Sequence, residues 1–461
     1  MKKNNRKMKH LRLFFLFLVL SSHAIFAQQV NYSQLLSDLI SKKKWFEIEN
    51  YYQQHKDSID SEFVKRWYLA ETGNVFNRSL EAINAYEQLI DKNLLNMNMP
   101  TLISLFGQPM LQLCAEVQEY AKAEELCQKL ITLIENDTTI DSDMRLSYLQ
   151  GFAQTIERFK QFAELYPKLT ITKKENQTKA VKIIPNNSSN GIFFNAKWNG
   201  KKLKTFFDTG AGASYIYNRT IAEKIGIKLN ETDTIVTNNG TIRGFMGIVD
   251  SLELSDFCIK NVSVFVNIET IDTADSLQVK CDSIMNSMYD IVLGLPIIRQ
   301  LGIIKFDFVK NTMSFSQKTN LTNKKNLYID KTLYLNMEIC DSIFLSFFDT
   351  GGEMGLIINN DFYEKNKEHI SVEEQKAKSG VFFGSCNQPS LSQRNEYDCP
   401  QIGIKINDQI ITMINDCLVA KDKENDNKFG TEEGGFLGNA IFKYCKKATF
   451  DFVNMVFSME R

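Results

Sequence analysis

Between residue 30 and about residue 167, apolar side chains recur at three- and four-residue intervals, as in Leu35, Leu36, Leu39 and Ile40 and again in Ala82, Ile83, Tyr86, Leu89 and Ile90. That period lays them along one stripe of a helix. Gly is sparse there, and the only prolines are Pro100, Pro109 and Pro167. The texture changes after residues 168–190 (KLTITKKENQTKAVKIIPNNSSN), a stretch rich in Lys, Asn, Ser and Thr that reads as a linker. Short β-branched and aromatic runs follow, punctuated by Asn-Gly and Gly turns, and predict strands. A second polar stretch, Gln317–Asn326, divides this strand-rich part in two.

The two parts are copies. Asn195–Asn218 (NAKWNGKKLKTFFDTGAGASYIYN) aligns with Asn336–Asn359 (NMEICDSIFLSFFDTGGEMGLIIN), with Phe-Phe-Asp-Thr-Gly at the same place in each, 141 residues apart. Val292-Leu293-Gly294 matches Phe436-Leu437-Gly438, and Phe306-Asp307-Phe308-Val309 matches Phe450-Asp451-Phe452-Val453, both at an offset of 144. Three collinear blocks at nearly constant offset indicate one fold written twice. The expected fold class is α+β multidomain, an N-terminal α-helical domain followed by an all-β bilobal part. The expected divisions are a leader at 1–27, a helical domain at 28–168, a linker at 169–190, lobes at 191–318 and 328–461, and a linker between them at 319–327.

The leader reading rests on Lys2, Lys3, Arg6, Lys7, Lys9 and Arg12, followed by the unbroken apolar run Leu13–Leu20 and the small residues Ser21, Ser22, Ala24 and Ala27. Eight apolar residues are too few to span a bilayer, but they suit a cleaved export signal. Export to the periplasm or outside the cell is therefore expected, with no stable membrane span after cleavage. A formal net charge of -1 argues against a strongly cationic face, so no nucleic-acid partner is expected.

The titratable residues narrow the chemistry further. The four histidines are His10, His23, His55 and His369, and the first two lie in the leader. Two separated histidines do not furnish a Ser/His or Cys/His triad or a His-rich metal site. The nine cysteines form no CxxC pair, so no metal or other cofactor is expected. In an exported chain Cys258 with Cys281, and Cys386 with Cys399, are candidate local bridges, with buried free thiols the alternative at each position. Hydrolytic chemistry must rest on carboxylates.

Asn199-Gly200 signals a tight hairpin, after which Leu203–Phe207 feeds Asp208-Thr209-Gly210. Asp341 stands in the equivalent turn of the second copy, and Leu345–Phe348 feeds Asp349-Thr350-Gly351. An acid placed directly after a buried strand emerges at its end. If the copies pack about a pseudo-twofold axis, Asp208 and Asp349 meet. Two carboxyls in one small site cannot both ionise freely, so one pKa rises, the other falls, and the pair holds a single proton. The ionised member can activate water while the protonated member donates to a carbonyl oxygen.

In these residues the chain resembles the retropepsin-like and pepsin-like aspartic proteases, most closely two fused retroviral-type protomers. The resemblance covers about residues 185–461. It implies that Asp208 and Asp349 are the catalytic pair and that the Thr209 and Thr350 hydroxyls interlock across the axis, with Gly210 and Gly351 completing the turns. It also implies that Gly294 and Gly438 sit on the strand threading behind each catalytic loop, where a side chain would clash. Pepsin-type lobes usually carry Ser or Thr after Asp-Thr-Gly. Ala211 and Gly352 stand there instead, which implies an optimum nearer neutrality. A flap hairpin is expected from each lobe, at Thr237–Gly247 with Gly244 and Phe245, and at Gly380–Ser385 with Phe382 and Phe383.

The implied activity is peptide-bond hydrolysis of a polypeptide substrate; a decayed protease fold that only binds peptides is the alternative. Retention of both Asp favours the enzyme. Asp307 and Asp451 also repeat, within Phe-Asp-Phe contexts that read as structural. Ser79–Ile90 and Tyr120–Ile131 share an Ala-x-x-x-aromatic/Leu pattern that resembles tetratricopeptide-type hairpins, though a plain helical bundle fits equally. Such a region would serve as a prodomain-like cover, a substrate adaptor or an anchor for a protein partner.

Overall fold

The computed structural model describes residues 31–461 except 94–95, 166, 174–178, 187–188, 238–241, 268–286, 317–323, 374–378, 384–388, 394–395 and 421–433. The leader at 1–27, most of the linker at 319–327, and Cys281 and Cys386 lie outside the described residues. The described cysteine opposite Cys399 is Cys417, its partner across adjacent antiparallel strands.

The helical periodicity is realised. Up to Tyr68 one compact unit contains helices Tyr32–Ser41 and Trp45–His55 and the opening of Glu62–Val75. Leu36, Ile40, Trp45, Ile48, Ile59 and Val64 form its core. Asn31 caps the first helix by accepting from the Gln34 amide at 2.9 Å.

The second unit runs from Leu69 to Arg461. It opens with further helices, chief among them Ser79–Lys92, Gln108–Glu116, Tyr120–Asn136 and Ser142–Leu165. Ala82, Ile83, Tyr86, Leu89 and Ile90 all face inward, as their spacing requires. Pro109 has no amide to give the preceding turn. The chain meets this with a π-helical stretch, Ile103–Gly107, just before it.

From Ile192 the period changes to two. In lobe 1, Ile192–Trp198 pairs antiparallel with Lys201–Asp208 through a turn in which Asn199 and Gly200 have φ of 48° and 75°. Those are the two positive angles a tight hairpin demands. Lys201–Asp208 then pairs parallel with Ile291–Gly294, and Ser214–Ile216 pairs antiparallel with that strand and parallel with Phe257–Asn267. Lobe 2 repeats this wiring. Cys340 and Asp341 turn with φ of 51° and 58°, Ser342–Phe348 pairs parallel with Gly434–Leu437, and Leu356–Ile358 pairs antiparallel with that strand and parallel with Gln409–Ala420.

The lobes meet where Ile303–Asp307 pairs antiparallel with Lys447–Asp451. There Ile304 lies opposite Phe450, while Phe306 lies opposite Ala448. Adding 144 to either lobe-1 residue gives the partner of the other, so the register is itself twofold about Lys305 and Thr449. Phe207 and Phe348, each just before a candidate acid, bury their rings against Phe450 at 6.3 and 5.3 Å. Aromatic packing of this kind supplies the floor on which both turns rest.

The helices of this unit dock against both lobes. Arg299, 4% exposed, reaches Glu116 at 3.3 Å, and the Asn77 side chain donates to the carbonyls of Arg299 and Phe452, each at 3.0 Å. Gln118 also donates to the Ser263 hydroxyl.

Candidate active site

Each candidate acid is the residue at which an apolar strand ends. Side chains alternate along a strand, so Phe207 points into the floor while Phe206 and Asp208 share the opposite side; Phe348, Phe347 and Asp349 repeat the arrangement. The turns are locked together by four hydrogen bonds between the two copies. The Thr350 hydroxyl accepts from the Thr209 amide at 3.0 Å and donates to the Phe207 carbonyl at 3.2 Å. The Thr209 hydroxyl accepts from the Thr350 amide at 3.0 Å and donates to the Phe348 carbonyl at 2.9 Å. Both threonines are 0% exposed. A buried hydroxyl serving as acceptor and donor at once fixes backbone on the far side of the axis.

That lattice brings the carboxyls together. A Cβ built on Gly210 would lie 2.4 Å from the Asp349 carboxyl carbon, and one on Gly351 would lie 2.4 Å from that of Asp208. Only glycine leaves room for the acid of the other lobe. Each acid is also cradled by its own turn. Asp208 Oδ1 accepts from the amides of Gly210 and Ala211 at 2.8 and 3.1 Å, and Asp349 Oδ1 from those of Gly351 and Gly352 at 2.7 and 3.2 Å.

Burial raises the pKa of both acids, more for Asp208, where the neighbouring Asp349 charge and their shared hydrogen bond push it well above the usual carboxylate range. Burial also raises Asp349, but its bond from Asp208 and the amides of Gly351, Gly352 and Gly210 hold it back. The expectation of one raised and one lowered value is thus corrected: desolvation lifts both.

The threading glycines lie where the repeat predicts. A Cβ on Gly294 would stand 2.4 Å from the Ala213 carbonyl oxygen, and one on Gly438 would stand 2.0 Å from that of Met354. Backbone cannot yield as a flexible side chain does, so these positions admit no side chain.

The flap candidates occupy different settings. Gly244 and Phe245 pair with Asn267 and Val266 inside the Ile242–Leu254 strand, and a Cβ on Gly244 would strike the Phe265 ring at 2.3 Å. The glycine thus serves packing within the sheet, and the tip of this hairpin, 238–241, lies outside the described residues. Phe382 and Phe383 lie on a separate two-stranded ribbon, Ser379–Phe383 with Pro389–Gln393. Asp307 and Asp451 accept from turn amides, Lys310 at 2.9 Å and Asn454 at 2.8 Å respectively, which fits their structural reading.

Several residues at the site carry no motif. Ser214 accepts from the Gly294 amide at 3.1 Å, and Asn439 donates to the Thr350 carbonyl at 3.2 Å, each steadying a catalytic-type loop from behind. Tyr215, Tyr217 and Tyr289 collect beside Asp208 with Phe193, Phe206, Ala211 and Val292. Their one sequence signal is position, since Tyr215 lies on the strand Ser214–Ile216 that follows the Asp-Thr-Gly turn and Tyr217 comes directly after it.

Parts of the chain are similar to known proteins. Residues 194–300 match the family described as "gag-polyprotein putative aspartyl protease". Among solved structures, a retropepsin-like aspartic protease from Rickettsia conorii matches at 20% identity over 32% of this chain and 94% of that one, with a TM-score of 0.22. An aspartic proteinase from Irpex lacteus matches at 10% identity over 63% of this chain and 96% of that one, with a TM-score of 0.36. No curated protein matches the chain. The family match over 194–300 takes in the first Asp-Thr-Gly turn and its threading glycine, so this stretch of the chain is similar to the aspartyl protease family.

Proposed function

We propose that the protein is an aspartic endopeptidase in which Asp208 and Asp349 act together on one water molecule. The observation that carries this reading is the reciprocal threonine lattice, which leaves each carboxyl facing the turn glycine of the other lobe. In the resting state Asp208 carries the shared proton and Asp349 is ionised. Water held between them loses a proton to Asp349 as its oxygen attacks the peptide carbonyl carbon. Asp208 donates its proton to the carbonyl oxygen, giving a neutral gem-diol. Proton transfer from Asp349 to the amide nitrogen and return of a diol proton to Asp208 break the C–N bond and release an amine and a carboxylic acid. The polypeptide would lie extended between the lobes, held by main-chain hydrogen bonds as an added strand.

The leader at 1–27 supports export, which signal cleavage and cell fractionation would test. The helical region would recruit a protein partner or substrate, since Asn77, Glu116 and Gln118 already fasten it to the protease lobes. The function itself is tested with a statine-type peptide, whose hydroxyl mimics the attacking water. It should inhibit hydrolysis of an unfolded protein competitively. Hydrolysis insensitive to it would remove the dyad from the reaction.

A further inference from the structure

We propose that Asn439 is a positioning residue for Asp349: by donating to the Thr350 carbonyl it strengthens the turn amide that holds the Asp349 carboxylate, and so makes lobe 2 the supplier of the base. This rests on the protease reading and names the residue that breaks the equivalence of the two acids.

The repeat pairs Asn439 with Leu295, at the same offset of 144 that relates Gly438 to Gly294. The backbone makes the same bond in both copies. The Leu295 amide donates to the Ala211 carbonyl at 2.9 Å, and the Asn439 amide donates to the Gly352 carbonyl at 2.8 Å. The side chains differ. The Asn439 side chain donates to the Thr350 carbonyl at 3.2 Å, whereas Leu295 has no polar atom to offer the matching Thr209 carbonyl. Asn439 is 0% exposed and Leu295 3%, so in lobe 1 hydrocarbon fills the same place. A buried carboxamide there is the costlier choice, the more so because its Oδ1 completes no hydrogen bond among the described residues.

What this donor adds reaches the acid through one peptide group. The Thr350 carbonyl and the Gly351 N–H belong to the same planar unit, and that N–H donates to Asp349 Oδ1 at 2.7 Å. A donor on the carbonyl side polarises the unit and strengthens the hydrogen bond on the other side. The Gly351 amide is one of the groups that hold Asp349 back from the rise that burial imposes.

The surroundings of Asp349 are otherwise plain. The titratable group facing it is Asp208, across the axis. Gly210, Gly352, Phe436 and Leu437, which pack on or bond to the same turn, carry no charge. Tyr215 and Tyr289 lie on the Asp208 side, and burial pushes their phenols well above the ordinary range, so both stay neutral. Glu353, which follows the turn, is exposed. Two backbone amides cradle each acid in the same way, so the Asn439 donor tips the shared proton towards Asp208.

The test is the pH dependence of kcat/KM for one peptide cleaved by the wild type and by Asn439→Leu, which makes the two lobes alike. Losing the donor weakens the hold on ionised Asp349. The acid limb reports the first ionisation of the pair, and it should move up by about half a pH unit, as expected when an amide hydrogen bond to a charged acceptor weakens by about 10–30%. The alkaline limb, where Asp208 loses its proton beside an Asp349 ionised throughout, should stay. A structural role alone would lower the rate and move neither limb. Two unmoved limbs, or an alkaline limb that moves while the acid limb stays, would overturn the proposal. Asn439→Ala, which adds no bulk, should give the same shift if the leucine variant does not fold. If the wild type cleaves nothing, the protease reading fails separately. The Asp349 carboxyl titration, followed by NMR in full-length protein labelled at its aspartate carboxyl carbons, then reads the inference alone: the same upward shift in Asn439→Leu supports it, and an unchanged titration contradicts it.

Discussion

Replacing Thr350 by valine removes one hydroxyl and almost no volume. The structure says what is lost. The Thr209 amide loses its acceptor at 3.0 Å and the Phe207 carbonyl its donor at 3.2 Å. Thr350 is fully buried, so water does not replace the hydroxyl. A buried polar group stripped of its partner costs about 1–3 kcal/mol. Two such groups, offset by the easier burial of a methyl, give a loss of about 2–4 kcal/mol. Thr350→Ser keeps the hydroxyl and deletes one methyl group, for about 1 kcal/mol. The assay is urea unfolding of wild type, Thr350→Val and Thr350→Ser, followed by fluorescence and circular dichroism. Thr209→Val should lose a similar amount, because its bonds to the Thr350 amide and Phe348 carbonyl mirror those of Thr350. Hydrolysis should fall in both valine variants as the turns lose alignment. A valine variant no less stable than the serine variant would refute the reasoning, since the lattice would then contribute nothing.

Gly438→Ala should disrupt lobe 2, because its Cβ would lie 2.0 Å from the Met354 carbonyl oxygen; a soluble variant with wild-type unfolding would contradict this close approach. The dyad makes stability depend on pH. Folded Asp208 is raised well above its ordinary value by burial and by Asp349, so as pH rises the unfolded chain loses its proton first and gains in stability. Asp208→Asn removes that titration. The variant should be relatively more stable at neutral pH, with the advantage vanishing below the ordinary carboxylate range; a difference constant with pH would contradict the raised value. At the helix–lobe contact, Glu116→Gln leaves the buried Arg299 charge without its partner at 3.3 Å, whereas Arg299→Met removes the charge itself. The first should therefore destabilise more than the second, by about 1–3 kcal/mol after allowing for the solvent that reaches Glu116; the reverse order would show that this pair does not hold the helices.

The duplication made the site legible. Two Phe-Phe-Asp-Thr-Gly turns and two later apolar-Gly blocks give the positions of the dyad, the interlocked threonines and the threading glycines, because each demand is local and leaves a fixed residue type behind. The Asn199-Gly200 hairpin was legible for the same reason, since positive φ at both positions selects those residues. The tyrosine cluster was not. Tyr215 and Tyr289 stand more than seventy residues apart and meet only through the crossing of Ser214–Ile216 with Ile291–Gly294. The upward shift of both acids likewise depends on how deeply the closed lobes bury them, which strand patterns do not encode. The Asn77 contacts with Arg299 and Phe452 join segments of unlike texture that share no repeat.

The most direct measurement is hydrolysis of an unfolded protein by the wild type, Asp208→Asn and Asp349→Asn, compared at equal concentration across pH. Each asparagine leaves a near-isosteric side chain that can no longer share the proton. The wild type should cleave, and each variant should fall to background. Full cleavage by either single variant would mean that the two carboxyls do not work as one unit.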